Sequence, residues 1–466
     1  MRKHVLIIVQ NLPVPLDRRV WLECQALVKV GYEVSVICPK GPGDPPKELL
    51  DGVWIYKYEP PAQASGFLGY LNEFIYCWFR VAFLAFRLFA TRPFSAIQAC
   101  NPPDTYAPLA LLFRPFGVRF VYDQHDLCPE IYLARFAKPS KKIFKVLLGL
   151  ERLTYRAAHQ VISTNESYRA IAIRRGHRTL ENTTVVRSGP DTTRMKPGPE
   201  RPELRRGREH LICYLGIMGP QDGVDVVLRA MDIIVHKFGR TDVGAALLGF
   251  GDCLEELRAL STELGLDDYV TFTGRADSEM IRDYLSTAAV GVGPDPLNEL
   301  NNFSTMNKIM EYMAHQLPVV TFDLVETRVS ALEAAVYVEP GDLLGFATAI
   351  SDVIDDPDRR RELGELGRRR AVEVLDWSAQ ARAYVDVYDR VHGLAKRAYP
   401  AVPEPSPAVP VRPVARHLVI EQATPGRVAA VHPPAQRDLD IPTIGAVQSA
   451  ERARLADGTC GEAVMP

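Results

Sequence analysis

Short apolar runs alternate with amphipathic stretches along most of the chain. Residues 4–9 are apolar, 18–30 carry helical spacing, and 32–38 are apolar again. Strand, loop, helix and strand at this spacing predict a βαβ unit of a parallel sheet. Apolar runs follow at 97–99, 119–122, 160–164 and 184–186, with a helix pattern near 104–113. A second series opens at 211–214. It continues through strand-like runs at 245–248, 270–272, 290–292 and 319–321, with helix patterns at 224–238, 252–264, 278–287 and 305–314. The predicted fold class is α/β: two Rossmann-like, doubly wound domains facing across a cleft, with ligands outside the carboxyl ends of the strands. The domains are 1–190 and 191–375. The stretch 376–395, with Trp377, Tyr384 and Tyr388 on one face, is a closing helix, and 396–466, rich in Pro, Ala and Val without periodicity, is a disordered tail.

Two segments of the first half break the pattern. Residues 66–90 are heavily aromatic, with only Glu73, Arg80 and Arg87 recurring every seventh position; these charges argue against a membrane span. Residues 138–156 set a basic face (Lys138, Lys141, Lys145, Arg152, Arg156) against an apolar one (Val146, Leu147, Leu150, Leu153). That pattern suits a helix lying in a membrane interface, and it also suits an ordinary helix packed on the sheet.

Charge sharpens this reading. The whole chain carries a net −2, which argues against a nucleic-acid partner. Residues 1–160 hold 20 Lys/Arg against 13 Asp/Glu, a local excess of 7 positive, as expected for peripheral contact with an anionic membrane or by simple imbalance. The eight cysteines have no metal-ligand spacing and most fall in apolar contexts, as in a cytoplasmic protein with reduced thiols. The first apolar run is too short for a signal peptide and is taken as a buried strand.

Candidate chemistry lies at the strand ends. Gly216 and Gly219 follow a strand and open a helix, and Gly249 and Gly251 do so after the next strand. Such turns expose backbone N–H groups to phosphate, or simply make tight connections. Further on, Glu311 begins an apolar helix pattern that leads into Pro318-Val319-Val320.

Several motifs in order resemble the family 4 retaining glycosyltransferases of the GT-B fold. They are Leu248-Gly249-Phe250-Gly251, Leu264-Gly265-Leu266, Val270-Thr271-Phe272-Thr273-Gly274 and Glu311-Tyr312-Met313-Ala314 in the second half. Less specific are Asp17-Arg18-Arg19-Val20, Tyr122-Asp123-Gln124-His125-Asp126 and Val186-Arg187-Ser188-Gly189-Pro190-Asp191 in the first. The resemblance covers roughly 4–393. It implies that Glu311 binds the ribose of a nucleotide-diphosphate sugar, and that His125, with Asp126 or Glu130, faces the transferred sugar or the acceptor. It departs from the family where a leaving diphosphate is normally neutralised: Ile217 and Asp222 stand where an Arg and a Lys are usual, and Phe303 replaces a first glutamate. Lys308, Ser304, Thr305 and Arg275 are the remaining candidates for that charge. Asp222 is expected to point away or to bind a hydroxyl. Asp17, Arg18 and Arg19 end the first β–α loop, where an acceptor phosphate could be held; alternatively Asp17 caps a helix and the arginines are solvated. A histidine beside an aspartate equally fits a satisfied structural pair.

The function implied is a retaining glycosyltransferase acting on a lipid-linked or saccharide acceptor at the cytoplasmic membrane face, with the nucleotide-sugar as co-substrate and no metal or other cofactor. The alternatives are a nucleotide-sugar epimerase or hydrolase on the same fold, or a nucleotide-sugar-binding partner without catalysis.

Overall fold

A computed structural model describes residues 3–61, 66–136, 138–395 and 397. The predicted tail lies outside these apart from Arg397, as does Cys460.

The first sheet has eight strands: β1 (His4–Ile8), β2 (Glu33–Pro39), β3 (Lys47–Leu50), β4 (Val53–Tyr58), β5 (Ala96–Cys100), β6 (Arg119–Gln124), β7 (Gln160–Ser163) and β8 (Thr183–Val185). Their order is β3-β4-β2-β1-β5-β6-β7-β8, parallel except for β3. The second sheet has six: β9 (His210–Leu215), β10 (Val243–Leu248), β11 (Val270–Gly274), β12 (Val290–Gly293), β13 (Val319–Phe322) and β14 (Ala335–Val338), in the parallel order β11-β10-β9-β12-β13-β14. Central strands such as β1 and β10 are buried at every residue. Helices cover both faces, which is why these strands read as unbroken apolar runs.

The alternation pattern did not include the hairpin β3–β4. Its edge strand β3 alternates exposed and half-buried residues, and the hairpin turns at Asp51-Gly52, both at positive φ (47° and 83°), a turn that matches strand twist. Strand β14 and the helices Leu343–Asp355 and Pro357–Arg370 also lay outside the prediction.

The chain crosses between the sheets twice, and the two crossings touch. Trp377 N donates to Pro190 O at 3.0 Å. A Cβ on Gly189 would lie 2.0 Å from Leu375 O, so only glycine fits there. The helix Trp377–Val391 then packs in the core of the first sheet, with Trp377, Tyr384 and Tyr388 against Val20, Leu27 and Val36. Both tyrosine hydroxyls donate to Gln98 Oε1 on β5.

The helix Gly66–Thr91 contains a stretch, Leu71–Thr91, long and apolar enough to cross a membrane by length and composition. One face (Cys77, Val81, Ala85, Leu88) packs into the first-sheet core, while Phe79, Phe83 and Phe86 on the other are exposed.

Candidate functional site

Loops from the carboxyl ends of both sheets meet at a cavity of about 390 Å³. From the first sheet come Asp17, Arg18 and Arg19 after β1, and His125 and Asp126 after β6; from the second come Ser304, Thr305 and Asn307 after β12. Seven of the residues singled out from sequence thus share one cavity.

Asp17 caps the helix Arg18–Lys29 by accepting from Val20 N at 3.1 Å. The next two arginines have opposite fates. Arg18 is 41% exposed and reaches across to Glu311, Nη2 to Oε1 at 2.5 Å. Arg19 is not solvated. It is buried, donating to Asp123 at 3.0 Å, to Val186 O at 2.9 Å and to Ser188 Oγ at 3.0 Å, with Glu23 Oε1 3.0 Å from its Nε. Burial opposes charge on Asp123, but the Arg19 guanidinium and His125 prevail and hold its carboxyl well below the usual range. Burial first, then Asp123, pushes the Glu23 carboxyl well above that range.

His125 Nε2 lies 2.8 Å from Asp123 Oδ2 and 3.1 Å from Arg19 Nε. The Asp123 carboxylate and the Arg19 guanidinium thus both border this ring nitrogen and hold the imidazole in place. Asn101 Oδ1 fixes the loop by accepting from His125 N (2.7 Å) and Asp126 N (3.1 Å). Glu23, Cys100, Asp123 and His125 cluster closely enough to hold a metal ion, but the Arg19 guanidinium already sits among them as the neutralising cation. Sequence reading overlooked Glu23, Asn101 and Asp123 as a group. Asp123 lay inside the quoted motif, while the other two are brought to it only by neighbouring elements.

Glu130 departs from expectation. It sits in the helix Cys128–Arg135, is buried, and is paired with Arg175, which also approaches Glu151 at 3.4 Å. A carboxylate enclosed by its own arginine is not offered to an acceptor.

On the second domain the two glycine turns are stacked backbone against backbone. A Cβ on Gly249 would lie 1.8 Å from Gly216 O, and one on Gly251 2.4 Å from Met218 O. Their N–H groups are engaged within the protein: Gly216 N with Leu248 O, Gly219 N with Asp222 Oδ2, and Gly249 N with Gly274 O. Of the two readings, tight connection therefore holds for these three amides, and phosphate contact through them does not. Asp222 turns inward and accepts from Gly219 N (2.9 Å) and Gln221 Nε2 (3.0 Å); burial pushes its carboxyl up to about 6. Ile217, in the place of the family arginine, is 48% exposed.

Lys308 lies beside Gly216, its Cε 3.3 Å from where a Cβ there would stand. Its ammonium is paired with Asp295 at 2.6 Å, both buried, and lies over the Tyr214 ring at 5.0 Å. Asp295 was not foreseen, because it follows β12 with no motif around it. Arg275 stacks on Phe250 at 4.4 Å, bordering the second glycine turn.

Ser304 and Thr305 serve the contact between domains: Ser304 Oγ pairs with Tyr168 OH at 2.8 Å, and Thr305 Oγ1 accepts from Asn165 at 3.0 Å. Phe303 packs on an apolar cluster of Leu127, Tyr168, Ile171 and Leu300. Where the resemblance implies a glutamate, this chain has an apolar contact between domains.

Comparisons with known proteins agree with this architecture. Residues 16–189 match the protein-family model described as "Glycosyl transferase 4-like domain", and residues 209–356 match "Glycosyl transferases group 1". The MMP alpha-(1->4)-mannosyltransferase of Mycolicibacterium hassiacum is 31% identical over 179 residues, 36% of this chain and 41% of that protein. The D-inositol 3-phosphate glycosyltransferase of Thermobispora bispora is 27% identical over 298 residues, 59% of this chain and 67% of that one. The chain thus spans about two fifths of the first relative's length. Sucrose-phosphate synthase from Thermosynechococcus elongatus superposes with a TM-score of 0.68 at 20% identity, covering 84% of this chain and all of that one. HepE from Anabaena, solved with UDP and glucose, gives 0.62 at 16% identity, covering 83% of this chain and all of that one. At such identities the structural likeness speaks for the fold. Together with the two family matches, placed one on each domain, it means that this chain belongs to the family 4 glycosyltransferases of the GT-B fold.

Proposed function

We propose that the protein is a retaining glycosyltransferase that takes a sugar from a nucleotide-diphosphate donor and gives it to a lipid-linked acceptor at the inner face of the membrane, without a metal or other cofactor. The carrying observation is the cavity between the two sheets. One wall offers His125 and Asp126, the other Ser304 and Thr305, and Arg18 bridges to Glu311. Relatives and structural neighbours support the donor class: HepE was solved with UDP and glucose, and a Mycolicibacterium smegmatis relative is named as GDP-mannose-dependent.

In this reading the ribose hydroxyls take the Glu311 carboxylate and displace Arg18. The freed guanidinium, with Lys308, then faces the departing diphosphate. Preorganised cations at developing charge are among the strongest contributions to transfer without a metal. The departing phosphate oxygen helps to deprotonate the acceptor hydroxyl, while His125 positions the sugar or that hydroxyl. A second reading, nucleotide-sugar binding without transfer, draws on the Lys308–Asp295 pair, which leaves the ammonium largely neutralised.

The test is a panel of UDP- and GDP-sugars screened by thermal shift, since a ligand of the folded state raises its stability. Labelled donors that bind are then incubated with a lipid extract. Label passing into the organic phase is expected. Stabilisation without any transfer would select the binding-only reading, and no stabilisation by any nucleotide-sugar would remove both.

A further inference from the structure

A second cavity, about 650 Å³, lies on the first domain between the helices Gly66–Thr91 and Lys141–Ala157. Its walls are Trp78, Phe79, Ile143, Val146, Leu147 and Leu150. Phe79 and Val146 at its mouth are 63% and 61% exposed. Such a surface calls for an apolar occupant.

Charge decides which occupant. Arg135 and Lys142 line the cavity, and Lys138, Lys141 and Lys145 are exposed close by in sequence. Among the described residues, none of these four lysines has a carboxylate partner. The opposite sign stands at the floor, where Asp104 is buried, its Oδ1 accepting from Tyr122 and Asn101. A phosphate is therefore drawn to the Arg135–Lys142 side and repelled from the floor.

That cationic side adjoins the second domain, because Arg135 pairs with Asp252, the residue after Gly251. The floor adjoins the first cavity: Asn101 donates to Asp104 Oδ1 and to Asp126 O, while its own carbonyl holds His125 and Asp126.

Resting on the transferase reading above, we infer that this groove holds the hydrocarbon chain of the acceptor, a lipid phosphate whose anionic head lies at Arg135 and Lys142. The two helices then act as a binding site for one amphiphile, and the exposed Phe79, Phe83 and Phe86 of one with Val146 and Leu153 of the other are the approach from the bilayer.

Trp78 reports on occupancy. A brominated dodecyl phosphate added to the full chain should quench its fluorescence saturably, and Trp78→Phe should remove that signal. The corresponding alcohol and trimethylammonium compounds should bind about tenfold more weakly or worse, and Lys142→Glu should abolish the preference. The surface pair Phe79→Asp with Val146→Asp should remove quenching while leaving thermal stabilisation by a nucleotide-sugar intact. Equal quenching by all three head groups, or quenching that survives the double variant, overturns the inference. So does label transfer to a lipid extract that is undiminished at saturating phosphate probe, since the groove would then be only a membrane foothold. If no nucleotide-sugar stabilises the wild-type chain, the transferase reading fails, while saturable, head-group-selective quenching still reports a lipid-phosphate site.

Discussion

Arg18 and Glu311 meet across the cleft at 2.5 Å although 293 positions separate them. The arginine is two-fifths exposed, so the bridge contributes roughly 0–1 kcal/mol. A ligand's hydroxyls can replace so weak a contact. The carboxylate, by contrast, is nearly enclosed and has few other partners to lose.

Glu311→Ala should therefore weaken nucleotide-sugar binding by about 10- to 100-fold, the loss of charge-assisted hydrogen bonds worth roughly 1.5–3 kcal/mol. Calorimetric titration measures this. Unchanged affinity would remove Glu311 from the ribose role.

Lys308→Ala should lower turnover by about 100-fold or more if the ammonium faces the diphosphate. It should also destabilise the protein by about 3–5 kcal/mol, because Asp295 is left buried and unpaired. The double variant Lys308→Ala with Asp295→Ala should recover stability without recovering turnover. Near-normal activity of folded Lys308→Ala protein would exclude the catalytic role.

Asp222 makes a pH-dependent prediction. Burial raises its folded-state carboxyl to about 6, above an unfolded value of about 3.9. The protonated form is thus favoured on folding. Its contribution is full below pH ~4 and is lost as pH rises through about 6. Asp222→Asn keeps an acceptor for Gly219 N but cannot ionise. Its denaturation midpoint should exceed that of the wild type by a margin that grows from pH 4 to pH 7, and nucleotide-sugar affinity should rise at pH 7. A constant difference across that window would show that the side chain does not titrate as stated.

Arg19 and His125 separate stability from chemistry. Arg19→Met strands Asp123 in the interior and should cost about 3–5 kcal/mol. His125→Ala should instead leave the denaturation midpoint within a few degrees and donor affinity unchanged, while sugar transfer falls by about 100-fold. Equal losses of donor binding and transfer would place His125 on the donor side of the cavity.

The alternation of apolar runs and helical spacing determined the two parallel sheets, because strands buried on both faces admit few polar residues. It also determined that Asp17 to Arg19, His125 and Asp126 follow strand ends, where a doubly wound sheet exposes side chains. It did not reveal the edge hairpin β3–β4, whose outer strand β3 alternates exposed and half-buried residues and carries a weaker signal. Nor did it distinguish Arg18 from Arg19. Adjacent in sequence, they point to different surroundings: one reaches the opposite domain, and the other is closed in by Glu23, Asp123, His125 and the backbone of Val186. Glycines 216, 219, 249 and 251 read equally as phosphate contacts or tight connections, and only the packing of one turn on the other showed why Gly249 and Gly251 must be small. Glu130 looked available until Arg175, 45 positions on, closed over it. The lining of a site comes from loops distant in sequence, and its electrostatics from which charges the fold buries together. Those are pairings that local sequence does not encode, and tertiary structure decided them.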